Sequence, residues 1–168
     1  ENILHVGFKN KFHHYFPFSI IVKIIENVDL NLLDKNGRTA IHNLFYHDSN
    51  EQVLNFFQSF TFENQKILHK LCDLKDFQDE TVLHYAIRKQ NISLVNFLLG
   101  NVKQFQQNFE RNENFFQIFS FATRVQSQNC ARRFFSKTFP WNSDEDNVKQ
   151  TLKKICENGW IDFLKEII

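Results

Sequence analysis

The sequence contains little of what bends or crosslinks a chain. Among 168 residues there are 4 Gly and 2 Pro, which disfavours a fold rich in tight turns and favours helices. The cysteines Cys72, Cys130 and Cys156 are odd in number and widely spaced, so we expect free thiols in a reducing, cytoplasmic compartment. No apolar run approaches the roughly 18 residues that a membrane-spanning helix needs, which excludes membrane insertion by this segment.

An excess of charge of one sign is also lacking. Lys and Arg number 20 and Asp and Glu 19, so the formal net charge is +1 and gives no general reason to expect binding to nucleic acid or an anionic membrane. Hydrophobic residues make up 42% and charged residues 23%, which are the proportions of a folded globular chain and not of a disordered one.

One segment of the sequence is repeated. Asp34–His42 reads DKNGRTAIH and Asp76–His84 reads DFQDETVLH, so that both match D-x-x-G/D-x-T-x-L/I-H. The run that follows His84, YAIRKQNISLVNFLL, continues without a gap through x-A-x-x-x-G-H-x-x-x-V-x-x-L-L, and residues 1–7 enter the same motif part-way. In these features the chain resembles ankyrin-repeat proteins.

The resemblance extends over the whole chain with decreasing fidelity. Gln117 takes the place of the motif histidine in a fourth unit, and Leu152–Ile168 resembles the second half of a fifth. The family implies an all-α solenoid of stacked helix-turn-helix units with short hairpin-like loops. We expect one domain over 1–168 with about five repeats, at approximately 1–33, 34–75, 76–108, 109–144 and 145–168.

The repeated motif has a local physical logic. Thr39 and Thr81 precede apolar periodic runs, where a hydroxyl can cap the first N–H groups of a helix. Gly37 suits a turn that needs a positive φ, and Asp79 can occupy the equivalent place. The resemblance implies that the motif histidines make structural hydrogen bonds between neighbouring repeats, so we interpret them as fold residues.

Two insertions lengthen the array relative to the family. One, Lys11–Phe18, extends the turn between the helices of the first repeat, and the other is Thr61–Lys75. Apolar residues at 67, 68, 71, 72 and 74 in the second have helical spacing and predict a short extra helix packed on the stack.

Motifs for catalysis or metal binding are not apparent. The pair His13 and His14 beside Tyr15, and His69 with Cys72 at i and i+3, are candidate ligands, but a zinc site needs three or four converging groups and no second pair has suitable spacing. No phosphate-binding loop, nucleophile elbow or HExxH motif occurs. We therefore expect no metal, no cofactor and no enzyme activity.

Charged residues cluster near the fourth repeat. Four of them are basic and stand among aromatic residues, followed by the acidic stretch Asp144–Asp146; they are Arg124, Arg132, Arg133 and Lys137, near Phe134, Phe135 and Trp141. A nucleic-acid surface is one interpretation. Solvated faces or pairing with the nearby acids is the favoured one, so nucleic acid is not the expected partner.

The resemblance implies a function in protein–protein interaction, through a concave face of hairpin tips and first helices. The matching positions are Lys35, Asn36, Arg38, Asn43, Tyr46, Phe77, Gln78, Glu80, Tyr85, Arg88 and Lys89. Tyr and Arg are common interface anchors, so Tyr85 and Arg88 are the predicted central pair.

Two alternatives stay open. The chain begins inside a repeat and its last residues are apolar, so we expect a segment of a longer array, which would fit a structural spacer in a larger protein. An inhibitor-like or host-directed viral or bacterial ankyrin protein is the other. The sequence identifies no partner.

Overall fold

Helices form the regular structure, as the scarcity of glycine and proline predicts. The computed structural model describes residues 1–60, 62–102, 113–138 and 145–167. It divides into two compact units, Glu1–Val102 and Lys103–Ile168. The first contains α1 (Ile3–Lys9), α2 (Phe18–Glu26), α3 (Ala40–His47), α4 (Asn50–Gln58), α5 (Gln65–Asp73), α6 (Val82–Arg88) and α7 (Ile92–Asn101), with 3-10 turns at Phe12–His14 and Phe62–Asn64.

The first unit is a stack of helix pairs. Helices α1, α3 and α6 pack side by side as the first helices of successive pairs, and the second helix α4 packs on α7. The apolar stripe of each helix turns inward, and Leu4, Phe8, Leu44, Phe57 and Leu98 have no solvent exposure. Because one helix pair cannot cover such a stripe, burial depends on the neighbouring pair.

The predicted extra helix is present. Helix α5 follows a 3-10 turn and packs against α2 and α6. Leu68, Leu71 and Cys72 are buried on its inner face, as their spacing requires. The longer loop of the first repeat is also confirmed, since α1 ends at Lys9 and α2 begins at Phe18.

The loops that precede α3 and α6 are tight hairpins. The N–H of Asp34 donates to the carbonyl of Arg38 at 2.8 Å, and Asp76 bonds to Glu80 in the same way at 3.0 Å. Gly37 has φ +73° and the equivalent Asp79 has φ +59°, so both adopt the predicted positive φ.

The motif histidines do not all bond in one way. His5 accepts from the N–H of Asn2 at 3.3 Å and bonds across repeats to the carbonyl of Arg38 at 3.1 Å, as the resemblance implies. His42 does not: its Nε2 has no hydrogen-bond partner in the part of the chain that the structure describes, and its Nδ1 lies 2.9 Å from the hydroxyl of Thr39. The Thr39 hydroxyl therefore bonds to the His42 ring, and the predicted cap on the helix backbone is wrong at this position.

The described part of the second unit contains two helix pairs. They are α8 (Glu113–Arg124) with α9 (Gln128–Thr138), and α10 (Glu145–Glu157) with α11 (Ile161–Ile167). Helix α8 packs on both α9 and α10, and α10 packs on α11. The single five-repeat domain predicted from the sequence remains a prediction.

The same type of turn joins the two helices of a pair in each unit. A residue with positive φ ends the first helix at Gln90, and the same conformation recurs at Gln126 and Gly159. The following N–H donates to the carbonyl five residues earlier in each case, as Asn91 does to Ala86 at 2.9 Å. These turns have the left-handed C-terminal cap that commonly ends helices.

Within the described ranges, none of these helices is long and apolar enough to cross a membrane.

Candidate protein-binding surface

The hairpins are rigid because a buried aspartate organises each of them. Asp34 Oδ1 accepts from the N–H groups of Asn36 at 2.8 Å and Arg38 at 3.0 Å, and Oδ2 accepts from the Arg38 guanidinium at 3.0 Å. Burial alone would raise the pKa of Asp34, but the hydrogen bonds from Arg38 and Asn36 outweigh it and hold that pKa below its usual value. These hydrogen bonds define the conformation of the hairpin tip within the chain itself.

Tyr46 is the centre of a surface built on α3. Its side chain is 50% exposed, although it lies on a first helix whose inner face is fully buried. The Arg38 guanidinium stands 4.3 Å from the ring centroid and the Lys89 ammonium 5.6 Å from it. Two cations on one exposed ring restrict its motion and leave an aromatic surface bordered by positive charge.

Phe77 extends this aromatic character to the hairpin tips. It is 65% exposed, and its ring lies against the backbone of Gly37 so closely that a Cβ there would fall 2.3 Å from Phe77 Cδ1. The N–H of Phe77 also donates to the Gly37 carbonyl at 2.8 Å, which joins the two hairpins. The phenyl ring is thus presented to solvent by a fixed backbone.

Comparison with known proteins settles the family. A family model described as ankyrin repeats, in three copies, matches residues 14–110, more than half of the chain. The chain belongs to the ankyrin-repeat family. No curated protein and no solved structure gives a significant match. Ankyrin repeats generally mediate protein–protein interaction, so a surface of this type is the place to seek function.

Most of the predicted contact residues are accessible on the ankyrin stack. Seven are exposed and Arg38 is half-buried; the exposed ones are Lys35, Asn36, Tyr46, Phe77, Gln78, Arg88 and Lys89. We call these eight residues the hairpin-side surface.

Three predicted contact residues are buried, which corrects the sequence interpretation of them. Tyr85 is 3% exposed: its ring stacks on His42 at 4.6 Å between centroids, and its hydroxyl donates to Asp76 Oδ2 at 2.9 Å. Burial and the neighbouring Asp76 carboxylate raise the pKa of Tyr85, so the phenol stays protonated. Asn43 and Glu80 are also buried. Tyr85 joins two ankyrin repeats and is not an anchor for a partner.

Arg88 is exposed, but its side chain already forms an ion pair within the chain. Its guanidinium binds the buried Glu80 carboxylate and lies 5.3 Å from the centroid of the Tyr85 ring. The predicted pair of Tyr85 and Arg88 is therefore divided between the repeat interface and the surface.

Sequence reasoning missed two apolar residues at this site. Leu32 and Leu33 precede the first hairpin and are both exposed. The sequence feature that could have revealed them is the pair of leucines directly before the polar hairpin motif that begins at Asp34. They add apolar area beside the hairpin-side surface.

The basic cluster of the second unit is partly engaged within the protein. The guanidinium of Arg124 lies 5.1 Å from the Phe121 ring centroid and that of Arg132 lies 5.8 Å from the centroid of Phe163. Arg132 and Arg133 are half-buried. Trp141 and Asp144 lie outside the described residues, as does Thr61 at the start of the second insertion.

Proposed function

We propose that this protein is a non-enzymatic ankyrin module that binds a partner protein through the hairpin-side surface. The observation that carries the proposal is the half-exposed ring of Tyr46, held between Arg38 and Lys89 beside the exposed Phe77. Exposed apolar side chains that cluster within a polar rim mark interaction sites, whereas singly scattered ones need no explanation. Aromatic residues and arginine dominate the binding energy of protein interfaces.

The charges of this surface favour an acidic partner. Lys35 and Lys89 form no ion pair within the residues that the structure describes. The nearby carboxylate of Asp34 is fully engaged by Arg38 and by the N–H groups of its own hairpin, so it does not compete with a partner for Lys35 and Lys89. We therefore expect the partner to present carboxylates around an apolar contact with Tyr46 and Phe77.

Replacement of one exposed tyrosine tests the proposal. The chain, Tyr46→Ala and the control Tyr15→Ala would each be used to capture proteins from native lysate, and the affinity of the purified captured protein would then be measured. Tyr15 is more exposed than Tyr46 but lies in the loop after α1. We expect Tyr46→Ala to weaken binding at least about tenfold and Tyr15→Ala to leave it unchanged.

The result also separates the alternatives. Equal affinity of Tyr46→Ala and the parent would contradict the proposed surface and favour binding elsewhere or the role of a structural spacer. Binding that falls steeply with salt and is competed by nucleic acid would instead favour the basic cluster of the second unit.

We further propose that the module comprises about five ankyrin repeats and works in the cytoplasm as part of a longer array. The recurrence of the Gln90 turn at Gln126 and Gly159 supports the fourth and fifth repeats, although the family model ends at residue 110. The three cysteines are free, which supports a reducing compartment. Measuring the size of the native protein in lysate, with an antibody against this segment, tests the longer array.

A further inference from the structure

Two adjacent histidines and an aspartate that is distant from them in sequence meet beside the loop of the first repeat. The left-handed conformation of Lys11, at φ +57°, turns the chain after α1 into the 3-10 turn that carries His13 and His14. Asp48 is the residue that follows the last turn of α3. The ligand atoms of His13, His14 and Asp48 all lie within 4.8 Å of one another.

The distances within this group suit coordination of one ion. His13 Nε2 lies 2.9 Å from Asp48 Oδ2, and His14 Nε2 lies 3.0 Å from Asp48 Oδ1. Bonds of about 2.0–2.1 Å to a tetrahedral zinc ion place neighbouring ligand atoms about 3.3 Å apart. The two contacts with Asp48 are therefore within a few tenths of an ångström of that spacing. The ligand atoms of the group lie no more than 4.8 Å apart, so the side chains would need to move by about 1.5 Å or less to hold the ion.

Burial and unmet bonding distinguish the group from a surface ion pair. The side chain of Asp48 is 0% exposed and that of His13 is 4% exposed. Nevertheless His13 Nε2 and Asp48 Oδ2, 2.9 Å apart, are poorly aligned for a hydrogen bond. Two buried ligand atoms that lie close together without such alignment are suitably placed to share a cation.

The group is also held in place and accessible. Phe8 and Phe56 meet the His13 ring edge to face, at centroid distances of 5.5 and 5.7 Å, which fixes the imidazole. His13 and His14 line a cavity of about 240 Å³. The histidine side of the group therefore borders a space large enough for an ion to enter and for a water molecule to complete its coordination, whereas Asp48 does not line that cavity.

We propose that His13, His14 and Asp48 form a binding site for one divalent transition-metal ion of the zinc class. Two imidazole nitrogens with one carboxylate suit zinc and its neighbours, whereas calcium and magnesium take all-oxygen sites. The bound ion fastens the loop between α1 and α2 to the end of α3. The sequence did not predict this site, because the third ligand is 34 residues from the histidine pair.

A cobalt titration tests the proposal. The purified chain, stripped with a chelator, is titrated with Co²⁺, whose visible spectrum reports tetrahedral coordination, and Zn²⁺ is then added in competition. We expect one Co²⁺ per chain, displaced by Zn²⁺. Asp48→Asn and His14→Gln should each weaken binding at least about tenfold, since even the loss of an outer-shell partner costs 10- to 100-fold.

The control is His47→Gln, which removes a histidine next to Asp48 but outside the group and should leave the affinity unchanged. His14 is the most exposed of the three proposed ligands, so His14→Gln keeps the test valid if circular dichroism shows that Asp48→Asn fails to fold. Saturable binding that neither variant weakens, or no saturable binding at all, would overturn the proposal. In that case the group is a polar cluster in which Asp48 contacts Lys11 and His14 without a metal ion.

Discussion

Acidification should weaken the first unit through one buried histidine. His42 is 0% exposed, its ring is stacked on Tyr85, and its Nε2 has no acceptor among the residues that the structure describes. Protonation of this ring would create a buried charge and an N–H group for which the described residues offer no hydrogen-bond acceptor. Burial accordingly lowers the pKa of His42 to about 4, and the opposing attraction of Asp76 does not restore it.

The direction and magnitude of the change in the free energy of unfolding follow from the difference between the pKa values of His42 in the folded and unfolded chain. The pKa of His42 is about 6.5 in the unfolded chain and about 4 in the folded protein. The stability that neutral His42 contributes is therefore complete above pH 6.5 and is lost as the pH falls toward 4. The two pKa values predict a loss of about 2 kcal/mol between pH 7 and pH 5, and of about 3 kcal/mol by pH 4.

Other ionisable groups also make the free energy of unfolding depend on pH, so the contribution of His42 is measured as the difference between two proteins. Urea unfolding followed by circular dichroism would be compared for the parent and for His42→Gln, which has no proton to gain. We expect the stability of the parent relative to the variant to fall by about 2 kcal/mol from pH 7 to pH 5. A relative stability that does not change with pH, or an NMR titration of His42 with a pKa above 6, would refute the reasoning.

Three further substitutions and one control test the packing, each by its free energy of unfolding in urea. Gly37→Ala should cost about 1–2 kcal/mol, because φ is +73° and the new Cβ would meet Phe77 at 2.3 Å; Gly100→Ala, with open space around it, should cost nothing. Tyr85→Phe should cost about 1–2 kcal/mol through its lost hydrogen bond, and an unchanged stability would contradict that bond. Leu71→Ala should cost about 2–5 kcal/mol if α5 belongs to the core, and a loss below 1 would detach α5 from it.

The features predicted correctly from the sequence are those determined locally. The hairpin conformation needs only an aspartate whose side chain accepts neighbouring N–H groups and a later residue that tolerates positive φ, and both are visible in the motif of Asp34 and Gly37. Helix α5 was predictable because Leu68, Leu71 and Cys72 recur at helical spacing.

The features that were missed depend on how repeats stack. Tyr85 lies on α6, and the rings of His42, Phe45 and Tyr46 from the preceding repeat pack around it. Asp48 reaches His13 and His14 because the extra residues after α1 fold back onto the end of α3. Composition and spacing describe one segment at a time, so neither contact had a signal in the sequence.

The motif histidines His5 and His42 show how a repeated sequence acquires distinct local properties. His5 bonds to the carbonyl of Arg38 in the next repeat, whereas His42 exchanges that bond for a stack on Tyr85. In His5 the Nε2 atom has a polar contact across the repeats. In His42 only Nδ1 keeps a hydrogen bond, to Thr39, and Nε2 has no partner among the described residues, so the ring resists protonation. In a solenoid whose stability is a sum of neighbour interfaces, the sensitivity to acid predicted above therefore belongs to the interface of the second and third repeats. Those repeats also carry Tyr46 and Phe77, so partner binding should weaken in acid as that interface loosens.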